Sequence, residues 1–531
     1  MRLAGLNSAL PDGAEARGDS SARAFGGRRL VILVALMAAS LALRLPGLGG
    51  VFEGSDSVEL AARVLVRPGY GWMLHEAYGF LINFVVKVFV GAVSSLGITV
   101  TEFWWKLPVA VVGSLQAPLA YLFLRRLRCG EAGAMFGSLA LAVLPIHVMQ
   151  SRYLWGYEVL GAFFVTVAVW ALLDFLESPG MGRAAVASVC SALYLMSHNY
   201  IVPFPFCILA LAALFTVGVR EPVARRVGWG LHLLVSRFVW VGPLLCLFIY
   251  RHALAHGLTK GVRPGLFLWD HLPGFVGNTG WPLALVCTAA AVGSVALRGP
   301  GRKPALLLAL CGAFYLAPLF FLAPPGVTVV RGYMLVGAVF WVLCAAVVFD
   351  EAVRRWRRAV LSAGAVILAV TMWGTVESVF FADQLLDPAR VTVERGGVTP
   401  DPCTKAAGYL VQKYVPPGAT VLAVHRAVEP SNLIYYFRRE RYAYYDLTLE
   451  MSLARLRAMK GRADVVVCEA AHVGLMEADA GFLRKAVLLS GGRPRMWIYA
   501  RPHVALPEMR ADVRDLDRAF DREFSWKVRL W

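Results

Sequence analysis

Residues 28–48 read RRLVILVALMAASLALRLPGL. Arg28 and Arg29 stand before a long apolar stretch, and Leu45-Pro46-Gly47 closes it. A run of roughly 17–23 apolar residues crosses the hydrocarbon of a bilayer as an α-helix. A helix satisfies its own backbone polar groups in lipid, which is why this form is expected there. The stretch lacks a small-residue cleavage site, so it reads as a retained first helix and not as a signal peptide. Basic residues accumulate on the cytoplasmic side, so the two arginines put its leading end there. Residues 1–27, rich in Gly, Ala, Ser and Arg, read as a disordered cytoplasmic tail.

Blocks of the same kind recur near 107–124, 131–149, 157–176, 183–199, 201–219, 229–250, 281–297, 303–323, 333–349 and 357–378. The chain of 531 residues is 58% hydrophobic with a mean hydropathy of +0.60, above the roughly 45–50% apolar content of soluble chains. A polytopic α-helical membrane protein follows. A β-barrel would show short alternating segments instead. The net charge of +18 would suggest nucleic acid in a soluble protein. Here much of it sits in short loops, so no nucleic-acid partner is expected. Arg125-Arg126-Leu127-Arg128, Arg183, Arg220 with Arg225-Arg226, Arg298 with Arg302-Lys303, and Arg354 to Arg358 all become cytoplasmic under one condition. Residues 49–106 must form one external segment, in which the apolar run 79–98 lies along the membrane without crossing. Eleven transmembrane helices and one juxtamembrane helix result. The N-terminus is inside, and the protein is expected in the plasma (inner) membrane. The Ala/Arg/Val/Leu-rich usage points to a bacterial source of high genomic GC.

Three units are expected: the tail 1–27, a transmembrane domain 28–379, and an extracytoplasmic α/β domain 380–531. In the last, Cys403 to Tyr414 and Leu449 to Met459 read as helices. Thr420 to Val424, Ala463 to Cys468 and Met496 to Ala500 read as strands of a small, partly parallel sheet. No Gly-rich dinucleotide fingerprint follows a strand. Tyr435-Tyr436 and Tyr442 to Tyr445, interleaved with Arg438, Arg439 and Arg441, form either a sugar-stacking surface or a strand edge on the bilayer interface. Of the nine cysteines, Cys403 and Cys468 alone fall in this polar part. They read as a disulfide or, for Cys468 after Val465-Val466-Val467, as a buried strand thiol.

Five polar and aromatic clusters share the external face. The first is Glu53-Gly54-Ser55-Asp56-Ser57-Val58-Glu59, in which Asp56 and Glu59 can share a helix face at i, i+3. The others are His75-Glu76-Ala77-Tyr78, Ser151-Arg152-Tyr153 with Tyr157-Glu158, His198-Asn199-Tyr200, and Arg331-Gly332-Tyr333. Carboxylates beside a bilayer are costly to desolvate and should face a water-filled cavity. Together the clusters read as the rim of one cavity.

This arrangement resembles the GT-C superfamily of membrane glycosyltransferases, and within it the branch of dolichyl-phosphate-mannose protein mannosyltransferases and lipid A aminoarabinose transferases. Asp56-Ser57-Val58-Glu59 occupies the slot of the family's Asp-Glu-x-x-Tyr motif, with Ser57 in place of the second acid. His75-Glu76-Ala77-Tyr78 stands where the family often has His-Pro-Pro-Leu. Ser151-Arg152-Tyr153 and Arg331-Gly332-Tyr333 are similar to its Ser-Arg-Tyr and late Arg-Tyr segments.

The resemblance implies transfer of a sugar from a polyprenyl-phosphate donor to a glycan, lipid or protein acceptor on the external face, with inversion. Asp56 would be the general base, with Glu53 second. Arg331 and Arg152 would steady the departing phosphate. His75, Glu76, Tyr153, Tyr157, Glu158, His198 and Tyr333 would line the sugar and acceptor pocket. The resemblance implies no metal. The alternative, a divalent ion on Glu53, Asp56 and Glu158, follows related oligosaccharyltransferases. Two rival readings are a transporter or flippase of a lipid-linked glycan, which usually carries internal repeats and mid-span polar residues, and a non-catalytic scaffold with an external binding domain.

Overall fold

The computed structural model describes residues 18–49, 54–66, 80–154, 156–177, 180–197, 203–216, 244, 268–322, 330–377, 403–424, 433, 435–438, 442–445, 453–469 and 481–524. The expected span 229–250 therefore lies outside the description, apart from residue 244, as do residues 251–267 of the segment 251–280 that the basic-loop pattern places outside.

The helices of the bundle are α1 (Gly18–Ala42), α2 (Gly54–Val66), α3 (Phe80–Ser95), α4 (Glu102–Arg126), α5 (Glu131–Val143), α6 (Pro145–Gln150), α7 (Tyr157–Glu177), α8 (Met181–Ser197), α9 (Pro203–Thr216), α10 (Leu268–Thr279), α11 (Trp281–Gly293), α12 (Arg302–Leu322) and α13 (Val330–Val376). Among the described residues, four segments are by themselves long and apolar enough to cross a membrane: Glu102–Arg126, Tyr157–Leu176, Arg302–Phe321 and Met334–Val376. The bent pair His271–Gly277 and Trp281–Gly293 makes a fifth if counted as one span. Large apolar side chains stand exposed on the helices, among them Val31, Val186, Leu285, Val292 and Trp373. Exposed apolar surface of this extent needs a nonaqueous partner, and on helices of this length a bilayer supplies it.

Several elements differ from the reading of the sequence alone. α1 starts at Gly18, inside the stretch read as tail, where alanine and arginine favour helix. The block 131–149 is broken between Val143 and Pro145, with Leu144 extended at ψ 116°. Pro145 has no amide hydrogen and sits well only in a first helical turn. α13 combines two expected spans, with non-helical backbone at Trp356 (φ −134°, ψ 54°). Its arms fold back on each other: a Cβ on Gly364 would stand 2.6 Å from Phe349, yet these residues would be about 22 Å apart in a straight helix. Small residues permit the close helix crossings. Gly133 and Gly137 of α5 face Ala346, and Gly312 of α12 faces Trp341.

Residues 403–524 form a six-stranded mixed sheet in the order β2-β1-β3-β5-β4-β6. Its strands are β1 (Val421–Val424), β2 (Tyr442–Tyr445), β3 (Val465–Glu469), β4 (Leu483–Ser490), β5 (Arg493–Ala500) and β6 (Met509–Asp512). β1 runs parallel to both β2 and β3, and β5 is antiparallel to β3 and β4. The helices are α14 (Thr404–Tyr414), α15 (Leu453–Arg462) and α16 (Val513–Glu523). β1 is buried on both faces. Val421 and Ala423 join the main core, while Leu422 and Val424 join a second cluster with Leu456 of α15. That explains its unbroken apolar run, since strands covered on both sides do not alternate. β4 and β6 escaped the sequence reading because charged residues interrupt both.

Cys403 and Cys468 are buried free thiols. Burial raises the Cys468 thiol to about 12. Tyr435 and Tyr436 are 1% and 0% exposed, so sugar stacking does not hold for them. Tyr435 packs edge-on against Trp105 of α4. Tyr442 begins β2, an edge strand of the sheet.

Candidate functional site

α4 organises both the domain contact and the candidate site. At its start, Glu102 is 2% exposed and pairs with Lys405 of α14 at 2.7 Å. Lys405 also meets Asp521 of α16 at 2.6 Å, and the Tyr436 hydroxyl donates to Glu102 at 3.2 Å. Burial of Lys405 works against its charge, but the two carboxylates outweigh it and raise its pKa. The sheet domain is thus held at the end of the bundle where the 49–101 segment enters α4.

Deeper along α4, the helix meets the end of α1 and the turn between α6 and α7. Arg44, in the turn that follows α1, is fully buried. Its Nη1 donates to the Ser40 carbonyl at 2.8 Å, the Ser40 hydroxyl at 2.7 Å and the Ala142 carbonyl at 3.2 Å. Its Nη2 stands 2.7 Å from His147 Nδ1. The break at Pro145 makes this possible, because the last carbonyls of a helix have no partner within it. Arg44 takes that of Ala142, and the Thr375 hydroxyl takes that of Val143 at 2.6 Å. All these partners of Arg44 are uncharged.

Arg152 approaches the same turn from the other side. It is 7% exposed, and its Nη2 donates to the Pro46 carbonyl at 2.8 Å. Gly47 lets it in: its φ is +71°, and a Cβ there would stand 2.8 Å from Arg152 Nη2. Ser151 donates to the His147 carbonyl and packs so closely on α4 that a Cβ on Gly113 would lie 2.1 Å from its Oγ. Tyr157 and Glu158, only 2% and 5% exposed, open α7 directly after this turn.

Four of the sequence-derived candidates, Arg152, Tyr153, Tyr157 and Glu158, lie in this turn and at the start of α7, neighbours along the chain. Arg331 and Tyr333 lie in the first turn of α13 and Asp56 in the first turn of α2, placed by backbone alone. The α13 hairpin puts its start at the same end of the bundle as Thr375, which touches Val143. Glu59, four residues before Arg63, forms an ion pair with it. Glu53, His75, Glu76 and His198 lie outside the described residues. Among the described residues no three His, Cys, Asp or Glu side chains group as metal ligands.

Two buried residues went unnoticed in the sequence, Arg44 and His147. The available signal was an ionisable residue near the end of an apolar span, which is expensive in lipid and marks function by default.

No family model matches the chain, and no curated protein matches it. Among solved structures, the crystal structure of ArnT from Cupriavidus metallidurans bound to undecaprenyl phosphate superimposes with a TM-score of 0.56 at 14% identity. The match covers 90% of this chain and 98% of that one. The chain therefore shares the overall fold of that structure along nearly its whole length.

Proposed function

We propose that this protein is a membrane glycosyltransferase that moves a sugar from a polyprenyl-phosphate donor to an acceptor on the extracytoplasmic face. The observation that carries the reading is the buried Arg44 guanidinium, whose described partners are all neutral. A buried cation without a counter-ion is strongly unfavourable, and an anion restores the balance. Arg152, clasping the same turn, adds a second buried cation. The phosphate of a lipid-linked sugar suits this place, because arginine matches phosphate oxygens. The likeness in fold to a structure that holds undecaprenyl phosphate supports the same donor class.

In the reaction, the bond from the anomeric carbon to the phosphate oxygen breaks, and a bond to the acceptor hydroxyl or amine forms. The acceptor proton passes to a carboxylate, for which Asp56 is the first choice and Glu53 the second. Polyprenyl phosphate leaves, its growing charge held by Arg152, Arg331 and Arg44. Glu158, Tyr157, Tyr153, Tyr333, His75, Glu76 and His198 shape the sugar and acceptor pocket. Direct displacement inverts the anomeric configuration.

The test is a reconstitution of the purified chain with a panel of polyprenyl-phosphate sugars and membrane extract, reading free polyprenyl phosphate. Release by the native protein and not by Asp56→Asn supports the reading. Absence of release from every donor, with folded protein, sinks it in favour of a scaffold or transporter.

A further inference from the structure

The far end of α4 carries a second feature, about 20 Å from Gly113 at 1.5 Å per residue. A cavity of about 420 Å³ opens there, among the ends of α4, α7 and α9, the start of α12 and the bend of α13. Leu173, Leu211, Leu214 and Leu307 give it an apolar wall. Four cations, Arg126, Arg128, Lys303 and Arg354, stand around it against two carboxylates, Asp350 and Glu351.

The carboxylates are already engaged. Asp350 holds Arg354 at 3.0 Å and accepts from the Gly130 amide at 2.9 Å, and Glu351 meets Arg354 at 3.4 Å. Arg126 pairs with Asp174 at 2.7 Å. Arg128 and Lys303 have no side-chain partner among the described residues, and both are exposed. The backbone around Arg128 adds an independent observation. Cys129 N donates to the Leu124 carbonyl and Arg128 N to the Arg125 carbonyl, at 3.0 and 3.1 Å. This is a Schellman ending, whose left-handed position normally carries glycine. Here it carries Arg128 at φ 62°, a conformation disfavoured for a side chain of this size. α12 also begins beside Lys303, and the positive end of a helix dipole favours negative charge.

We propose that this cavity seats the headgroup of an anionic phospholipid from the leaflet that faces the arginine-rich loops. Its phosphate lies between Arg128 and Lys303, and an acyl chain follows the leucine wall. Charge complementarity selects an anion, and the apolar wall at the end of membrane-length helices selects a lipid over a soluble phosphate. Basic pockets between transmembrane helices recognise anionic headgroups in this way. The site is separate from the Arg44 cluster and does not depend on the transferase reading.

The full chain would be taken from liposomes of equal parts phosphatidylglycerol and phosphatidylcholine, and retained lipid counted by native mass spectrometry. The native protein should keep phosphatidylglycerol in preference. The double variant Arg128→Gln, Lys303→Gln should lower that preference about thirtyfold, the effect of two basic contacts at a membrane surface. The pair Arg128→Lys, Lys303→Arg should retain it. Inorganic phosphate at the lipid's concentration should displace nothing from the native protein. Equal retention of both lipids, an unchanged preference in the glutamine variant, or displacement by inorganic phosphate would each overturn the proposal. The phosphate arm decides even if the double variant fails to fold.

Discussion

His147 Nδ1 accepts a hydrogen bond from Arg44 Nη2 at 2.7 Å. The direction is fixed because a guanidinium has donors and no acceptor. The imidazole is therefore neutral, with its proton on Nε2, and that buried nitrogen has no partner among the described residues. A cation and an unused donor thus sit together behind the turn that carries Arg152.

If Arg44 serves an anionic donor, its loss and its stability effect should separate. A buried charge with no counter-ion costs stability, and removing it offsets the hydrogen bonds lost with it. Arg44→Met should keep or raise the melting temperature while turnover of the lipid-linked donor falls about 10–100-fold, the loss of one charge-assisted contact of ~1.5–3 kcal/mol. A variant that unfolds, or one that turns over normally, would show that Arg44 only braces the α1–α6 junction.

The general-base assignment makes a kinetic statement. Asp56→Asn should lower kcat about 10²–10⁴-fold, the usual worth of a positioned base, with little change in KM for the donor. A fall in affinity at unchanged kcat would move Asp56 from proton transfer to binding.

Gly113→Ala places a methyl group 2.1 Å from Ser151 Oγ and 2.6 Å from its Cβ. The α6–α7 turn must shift, at a cost of about 1–3 kcal/mol for overpacking. Thermal unfolding in detergent should show the loss, and activity should fall with it, since Arg152 follows Ser151 directly. Gly180→Ala, where nothing lies within 4 Å of the added Cβ, should leave both unchanged.

Docking of the sheet domain should depend on pH through Lys405. Its pKa is raised above the usual 10.5. A group shifted this way contributes stability that is complete below the unfolded value and lost as pH rises through the folded one. Hydrogen exchange in Thr404–Tyr414 should stay slow at neutral pH and quicken above about 10.5. Lys405→Met should abolish that alkaline step. An identical step in the variant would assign it elsewhere.

Long apolar runs state their own structure, because a span in lipid must satisfy its backbone internally whatever surrounds it. The helices α4, α7 and α12 were legible for that local reason, and the strands β1, β3 and β5 for their own short apolar runs. Pairings between distant residues were not. Nothing in Arg44 announces His147, 103 positions away, and nothing in Glu102 announces Lys405, 303 positions away. Charged strands such as β4 hide as well, since their burial comes from neighbours and not from their own pattern.

The sequence by itself determined a helical membrane bundle followed by an α/β unit, because hydropathy and periodicity are properties of short segments. Only the tertiary structure decided that α1, α5 and α6 converge on a buried guanidinium. It alone also decided that the sheet domain is held at the head of α4. Both outcomes rest on close approach between chain segments far apart, and that geometry exists only once the helices pack.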